Sequence, residues 1–142
     1  MILYLDSSSL FKCLVEEDHG DDVAAWAEAA DVVAASRVAY PEVAAALARK
    51  RAGGQITSGD MRRALGGLEA AWEDCLVVDL AERLAAELAV RYVLRGFDAV
   101  HLAAAVTLRD AVGDDGIAFS SFDAELNRAA VAEGLIVLEP GG

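Results

Sequence analysis

The feature that most limits how this chain can fold is the alternation of short apolar runs with longer segments of helical character. The runs are Ile2–Leu5, Asp31–Ala35, Cys75–Val78, Ile117–Ser120 and Leu135–Leu138. They are too short for stable helices and lack the polar–apolar alternation of a half-wet strand, so they read as strands covered on both faces. Strands separated by helices in this way predict a three-layer α/β/α sandwich with a mostly parallel five-stranded sheet. No repeat, low-complexity tract or linker divides the sequence, and residues 1–142 read as one domain.

Local signals set the expected boundaries. Ser7 to Ser9 are suited to cap a first helix running to about Glu17, and Val23 to Ala30 reads as a second. Pro41 lacks an N–H, so the next regular helix is expected to begin near it, with Glu42 in the first turn. Gly53-Gly54 ends that helix. Ile56-Thr57-Ser58-Gly59-Asp60-Met61 has the form of a capping box with its hydrophobic staple and opens a helix to about Glu73. Ala81 to Leu94 is helical, with Gly96 expected as its stop. Asp98 stands at or beside the start of the next helix, and Phe122 to Glu133 forms the last.

The formal net charge of -12, from 24 acidic and 12 basic residues, argues against a broadly basic nucleic-acid binder. It predicts attraction for cations or for a basic protein partner. The apolar fraction of 56% argues for a packed core and against disorder. No apolar run approaches the roughly 18 residues of a membrane span. Cys13 and Cys75 lie in or beside apolar segments and read as buried thiols in a reducing compartment. Because Met1 leads directly into an apolar strand, without a basic n-region or cleavage site, the expected location is cytoplasmic.

In parallel sheets functional groups gather at the carboxyl ends of the strands. That rule reduces 24 acids to a few. Asp6 follows the first strand, and Asp123 lies three residues beyond the fourth. Asp98 opens a helix whose next residues are nearly all apolar, and Glu42 is the only charge from Tyr40 to Ala48. Carboxylates in such surroundings are costly unless paired, hydrogen-bonded or bound to a cation. Mg²⁺ or Mn²⁺ would relieve their repulsion, activate water and neutralise charge on a phosphodiester. On local grounds Asp98 and Asp123 could equally be helix caps, and Asp79 reads as one.

Four segments resemble those of PIN-domain proteins. Leu3-Tyr4-Leu5-Asp6-Ser7-Ser8-Ser9-Leu10 is similar to their opening, and Ser36-Arg37-Val38-Ala39-Tyr40-Pro41-Glu42-Val43 to their second motif. Leu94-Arg95-Gly96-Phe97-Asp98-Ala99-Val100-His101-Leu102-Ala103 resembles the third, and Ser120-Ser121-Phe122-Asp123 with Leu126 the fourth. Order and spacing resemble the short bacterial toxins of VapC type. The resemblance implies a metal-dependent endoribonuclease acting on RNA of the tRNA or rRNA class and restrained by a cognate antitoxin. It implies a homodimer, with Asp6, Glu42, Asp98 and Asp123 around Mg²⁺ or Mn²⁺. It also places Ser7, Ser8 and Ser121 where the family has small hydroxyl residues. Ser121 stands where threonine is the commoner choice.

His101, three residues after Asp98, shares a helix face with it and reads as a structural hydrogen-bonding group rather than a base. His19 has no metal-ligand spacing to it, so zinc is disfavoured. Arg49-Lys50-Arg51 and Arg62-Arg63 flank an interhelical turn and could meet as a patch holding RNA phosphates, with Arg95 a further candidate. The Ala-rich helices are suited equally to core packing or to a partner helix. The alternative is a non-catalytic PIN-like or receiver-like metal-binding interaction domain. A receiver would carry adjacent acids after the first strand and a lysine after the last, where this chain has Asp6-Ser7 and Glu139-Pro140. A phosphatase with an aspartyl nucleophile would want an acid at Ser8.

Overall fold

The alternation becomes a five-stranded, all-parallel sheet in a computed structural model that describes residues 1–141. The strands are β1 (Ile2–Leu5), β2 (Val32–Ser36), β3 (Leu76–Val78), β4 (Ile117–Ser120) and β5 (Ile136–Val137), in spatial order β3-β2-β1-β4-β5. The helices are α1 (Ser7–Leu14), α2 (Gly20–Ala29), α3 (Ala39–Ala52), α4 (Ser58–Asp74), α5 (Glu82–Tyr92), α6 (Gly96–Val112) and α7 (Ala124–Ala132). Register pairs Leu3 with Val33 on one side and with Ala118 on the other. A receiver-like sheet has the order 2-1-3-4-5, so this one follows a different winding.

Side chains alternate across a strand, and here that separates two apolar layers. Leu3, Leu5 and Ala118 pack with Leu10, Val43, Leu47 and Leu68 beneath α1 to α4. Tyr4, Ile117 and Phe119 pack with Leu88, Leu102 and Leu126 beneath α5, α6 and α7. The Ala-rich face of α6 from Ala103 to Ala105 is fully buried, because small side chains let the helix lie close to the sheet. No helix among the described residues is long and apolar enough to cross a membrane.

Several local expectations need correction. Asp6, not a serine, caps α1, which ends at Leu14. Gly96 begins α6 rather than stopping α5, and Val93 takes the left-handed conformation at the α5 terminus with φ 55°. Asp79 caps nothing. The residue before α5 is Ala81, while Asp79 forms an exposed ion pair with Arg37 at 2.8 Å. Cys13 is exposed and Cys75 only half-buried, because α1 turns Lys12 and Cys13 away from its buried Leu10–Phe11 face. Pro41 sits in the first turn of α3, where its missing N–H costs no helical bond, and Thr57 with Asp60 forms the expected capping box.

Candidate active site

The four acids converge outside the carboxyl ends of β1 and β4, where the strand order reverses. The Asp6 N–H donates to the Ser120 carbonyl at 3.1 Å and ties the two strand ends together. Asp6 Oδ1 accepts the Ser9 N–H at 2.9 Å and the Ser8 hydroxyl at 2.7 Å. Asp123 caps α7 in the same manner, its Oδ1 accepting the Leu126 N–H at 2.9 Å. Glu42 and Asp98 occupy the first turns of α3 and α6. All four carboxylates therefore stand at helix N-termini, where unpaired N–H groups and the helix dipole favour negative charge.

They line a cleft of about 360 Å³ together with Ser7, Ser8, Arg95 and Phe97. Glu42 Oε1 lies 2.7 Å from His101 Nε2, and Arg95 bridges Asp98 Oδ2 at 3.1 Å and Asp123 Oδ2 at 3.0 Å. Among the described residues no protein group bonds Asp6 Oδ2, Glu42 Oε2 or Asp98 Oδ1. Burial pushes the Asp98 carboxyl above its ordinary range, Arg95 opposes the shift, and Asp123 and Asp6 add to it. An all-carboxylate donor set with unbonded oxygens fits a hard cation such as Mg²⁺ or Mn²⁺. Among the described residues no three acidic, histidine or cysteine side chains form a ready-made metal cage. The positive charge lying between Asp98 and Asp123 is the Arg95 guanidinium.

Behind the cleft runs a buried relay. The Ser36 N–H donates to the Tyr4 hydroxyl at 3.2 Å, and that hydroxyl lies 2.8 Å from His101 Nδ1. Burial, reinforced by Asp6, holds the Tyr4 phenol well above its ordinary acidity range, so it keeps its proton. Because the Ser36 N–H already donates to this oxygen, the O–H is directed at Nδ1 as its acceptor. This direction assigns the Nε2–H of His101 to Glu42. His101 is 1% exposed, as a supporting group should be. Tyr4 was not anticipated from sequence. Its signal was a tyrosine within a run covered on both faces, where the hydroxyl needs a partner.

Two of the expected serines hold the loops. Ser8 Oγ accepts the Phe122 N–H at 3.1 Å while donating to Asp6, and Ser121 Oγ accepts the Asp123 N–H at 3.0 Å. Ser7 lines the cleft but makes no side-chain hydrogen bond among the described residues. The buried Ser9–Ser120 hydroxyl pair at 2.8 Å, missed in the sequence, fastens α1 to β4.

The basic residues divide. Arg49 and Lys50 line a groove of about 640 Å³ that shares Ser7, Ser8, Glu42 and Phe97 with the acid cleft. Arg51 instead donates to Ser58 Oγ at the start of α4, at 3.1 Å, and Arg63 pairs with Asp60. Arg95 turns to the acids.

Comparison with known proteins agrees with this architecture. The PIN domain family profile matches residues 3–132. Ribonuclease VapC45 of Mycobacterium tuberculosis (strain CDC 1551 / Oshkosh) is 36% identical over 136 residues, covering 94% of this chain and 92% of that protein. Ribonuclease VapC46 of M. tuberculosis (strain ATCC 25618 / H37Rv) is 33% identical, covering 97% of both. Among solved structures, the sarcin-ricin loop cleaving toxin VapC20 of M. tuberculosis superimposes with a TM-score of 0.67 at 17% identity, over 97% of this chain and 99% of that one.

Proposed function

The chain belongs to the PIN-domain family, and on that premise we propose that it is a VapC-type toxin, a metal-dependent endoribonuclease paired with an antitoxin. The observation that carries this reading is the convergence of Asp6, Glu42, Asp98 and Asp123 on one cleft, each at a helix N-terminus. These four would hold Mg²⁺ or Mn²⁺. The ion, when bound, supplies positive charge to a phosphodiester and acidifies water beside it.

The chain's own residues do the rest. His101 fixes Glu42 through Oε1, and Ser8 fixes Asp6 through Oδ1. Glu42 Oε2, Asp6 Oδ2 and Asp98 Oδ1 are then the oxygens open to the ion or to a proton of attacking water, and Asp123, whose Oδ1 caps α7, would add Oδ2 once Arg95 releases it. Ser121 steadies the Asp123 backbone, and Ser7 offers its hydroxyl at the cleft wall. Arg49 and Lys50, with Arg51 and Arg95 further out, are the proposed phosphate contacts. The substrate is RNA of the tRNA or rRNA class, hydrolysed in the cytoplasm. Exposed apolar Leu80, Val90 and Val93 on and beside α5 support a second copy as partner. The acidic cleft suits a basic antitoxin segment.

The test is RNA cleavage by wild type and Asp6→Asn with Mg²⁺, Mn²⁺ or EDTA. Asparagine caps a helix as well as aspartate does, so α1 survives the change. Metal-dependent cleavage that Asp6→Asn loses by about a hundredfold or more is expected. Equal cleavage by both proteins, or activity surviving EDTA, would overturn the mechanism.

A further inference from the structure

We infer that Arg95 is the resident counter-ion of the acid cleft and competes with the divalent cation for Asp98 and Asp123, an inference that rests on the metal-dependent reading above. Its geometry begins in the backbone. Val93 turns the chain at the end of α5, and Leu94 N–H returns to the Ala89 carbonyl at 3.1 Å. Arg95 follows in extended conformation as the N-cap of α6, where no side chain caps the helix. The turn therefore delivers the guanidinium to the rim of the cleft.

There its planar fork spans two carboxylates from different elements, Nε reaching Asp98 Oδ2 and a terminal nitrogen reaching Asp123 Oδ2. Among the described residues Arg95 is the only lysine or arginine that pairs with any of the four cleft acids. The side chain of Arg95 is 80% exposed, against 21% for Asp98 and 28% for Asp123. The guanidinium thus lies on the solvent side and can leave without uncovering buried surface. Crowded carboxylates need positive charge in every state of the protein, and Arg95 supplies it when no ion does. Asp123 Oδ1 is committed to the Leu126 N–H, so a cation that engages Asp123 must take Oδ2 and displace Arg95. Its donors are then free at the rim, where an RNA phosphate would lie.

Mn²⁺ titration by calorimetry tests the competition directly. Two exposed ion-pair contacts correspond to about a fivefold effect, so Arg95→Ala should bind Mn²⁺ about five times more tightly than wild type. Arg95→Lys should fall between them, because an ammonium cannot fork across both carboxylates. The Arg95 Nε–H resonance, identified by its loss in Arg95→Ala, should shift on saturation with Mg²⁺. Equal or weaker Mn²⁺ binding by Arg95→Ala overturns the inference and leaves the nuclease reading standing. An unmoved Nε–H resonance, or wild-type affinity in Arg95→Lys, reduces the effect to general charge and overturns the competition. Failure of all three proteins to bind Mn²⁺ overturns the metal-dependent reading as well.

Discussion

The Nε2 of His101 meets the Oε1 of Glu42 at 2.7 Å, joining α6 to α3 across the mouth of the sheet. The same imidazole meets the Tyr4 hydroxyl of the central strand through Nδ1. One buried ring thus fixes a cleft carboxylate to the middle of the core.

Replacing His101 with alanine strands the Tyr4 hydroxyl, frees Glu42 and opens a cavity. The expected loss is about 2–4 kcal/mol of folding stability, measured by urea denaturation. The cost should be non-additive with Glu42→Gln, since both changes break one network. Additive losses would show that the two residues act separately.

Asp123 has one oxygen for the helix and one for the cleft. Asp123→Asn keeps the cap and should leave thermal stability without metal close to wild type, yet abolish the rise in melting temperature that Mn²⁺ produces. Asp123→Ala should lose that response and about 1 kcal/mol besides.

Burial raises the Asp98 carboxyl above its ordinary value of 3.8, so the folded chain holds that proton more tightly than the unfolded chain. The ionised group then lowers stability at neutral pH, and the penalty lifts as pH falls through the raised value. Asp98→Asn should therefore be more stable than wild type at pH 7. The difference should shrink on acidification and vanish below the ordinary value. Denaturation at a series of pH values measures it, and a wild type more stable at pH 7 would contradict it. Protons should also compete with Mn²⁺ at this residue, weakening binding as pH falls.

Val93 is 87% exposed and β-branched, yet it holds φ at 55°. A side chain there crowds the following carbonyl, and glycine does not. Val93→Gly should raise stability by about 1 kcal/mol, with scanning calorimetry as the check. Destabilisation would mean that this turn carries no strain.

How legible the site was in the sequence varied with the kind of signal. Asp6 was marked by its place directly after an apolar run, and the Thr57–Asp60 capping box by its own spacing. Such signals depend on neighbours along the chain. Asp79 had the same local appearance as a cap and proved to be a surface partner of Arg37, because nothing local distinguishes a cap from an ion pair 42 residues away. Arg95 was read toward phosphate. Its contact with Asp123, 28 residues on, depends on how α6 and α7 are set against the sheet.

The sequence by itself determined the layered α/β architecture, since short apolar runs broken by amphipathic helices leave few other ways to bury both faces of a sheet. It also pointed to three of the acids, since Asp6, Glu42 and Asp123 lie at or near the start of helices that follow parallel strands and so begin at the same edge. Asp98 instead heads α6, which follows α5, and reaches that edge only through the tertiary fold. Tertiary structure alone decided how those acids are supported. The Tyr4–His101–Glu42 relay, the Arg95 bridge and the division of the basic cluster all join residues far apart in the chain. Their pairing is set by the register of β1 against β4 and by the approach of α3 to α6, where side chains meet in space with no periodicity along the sequence to announce it.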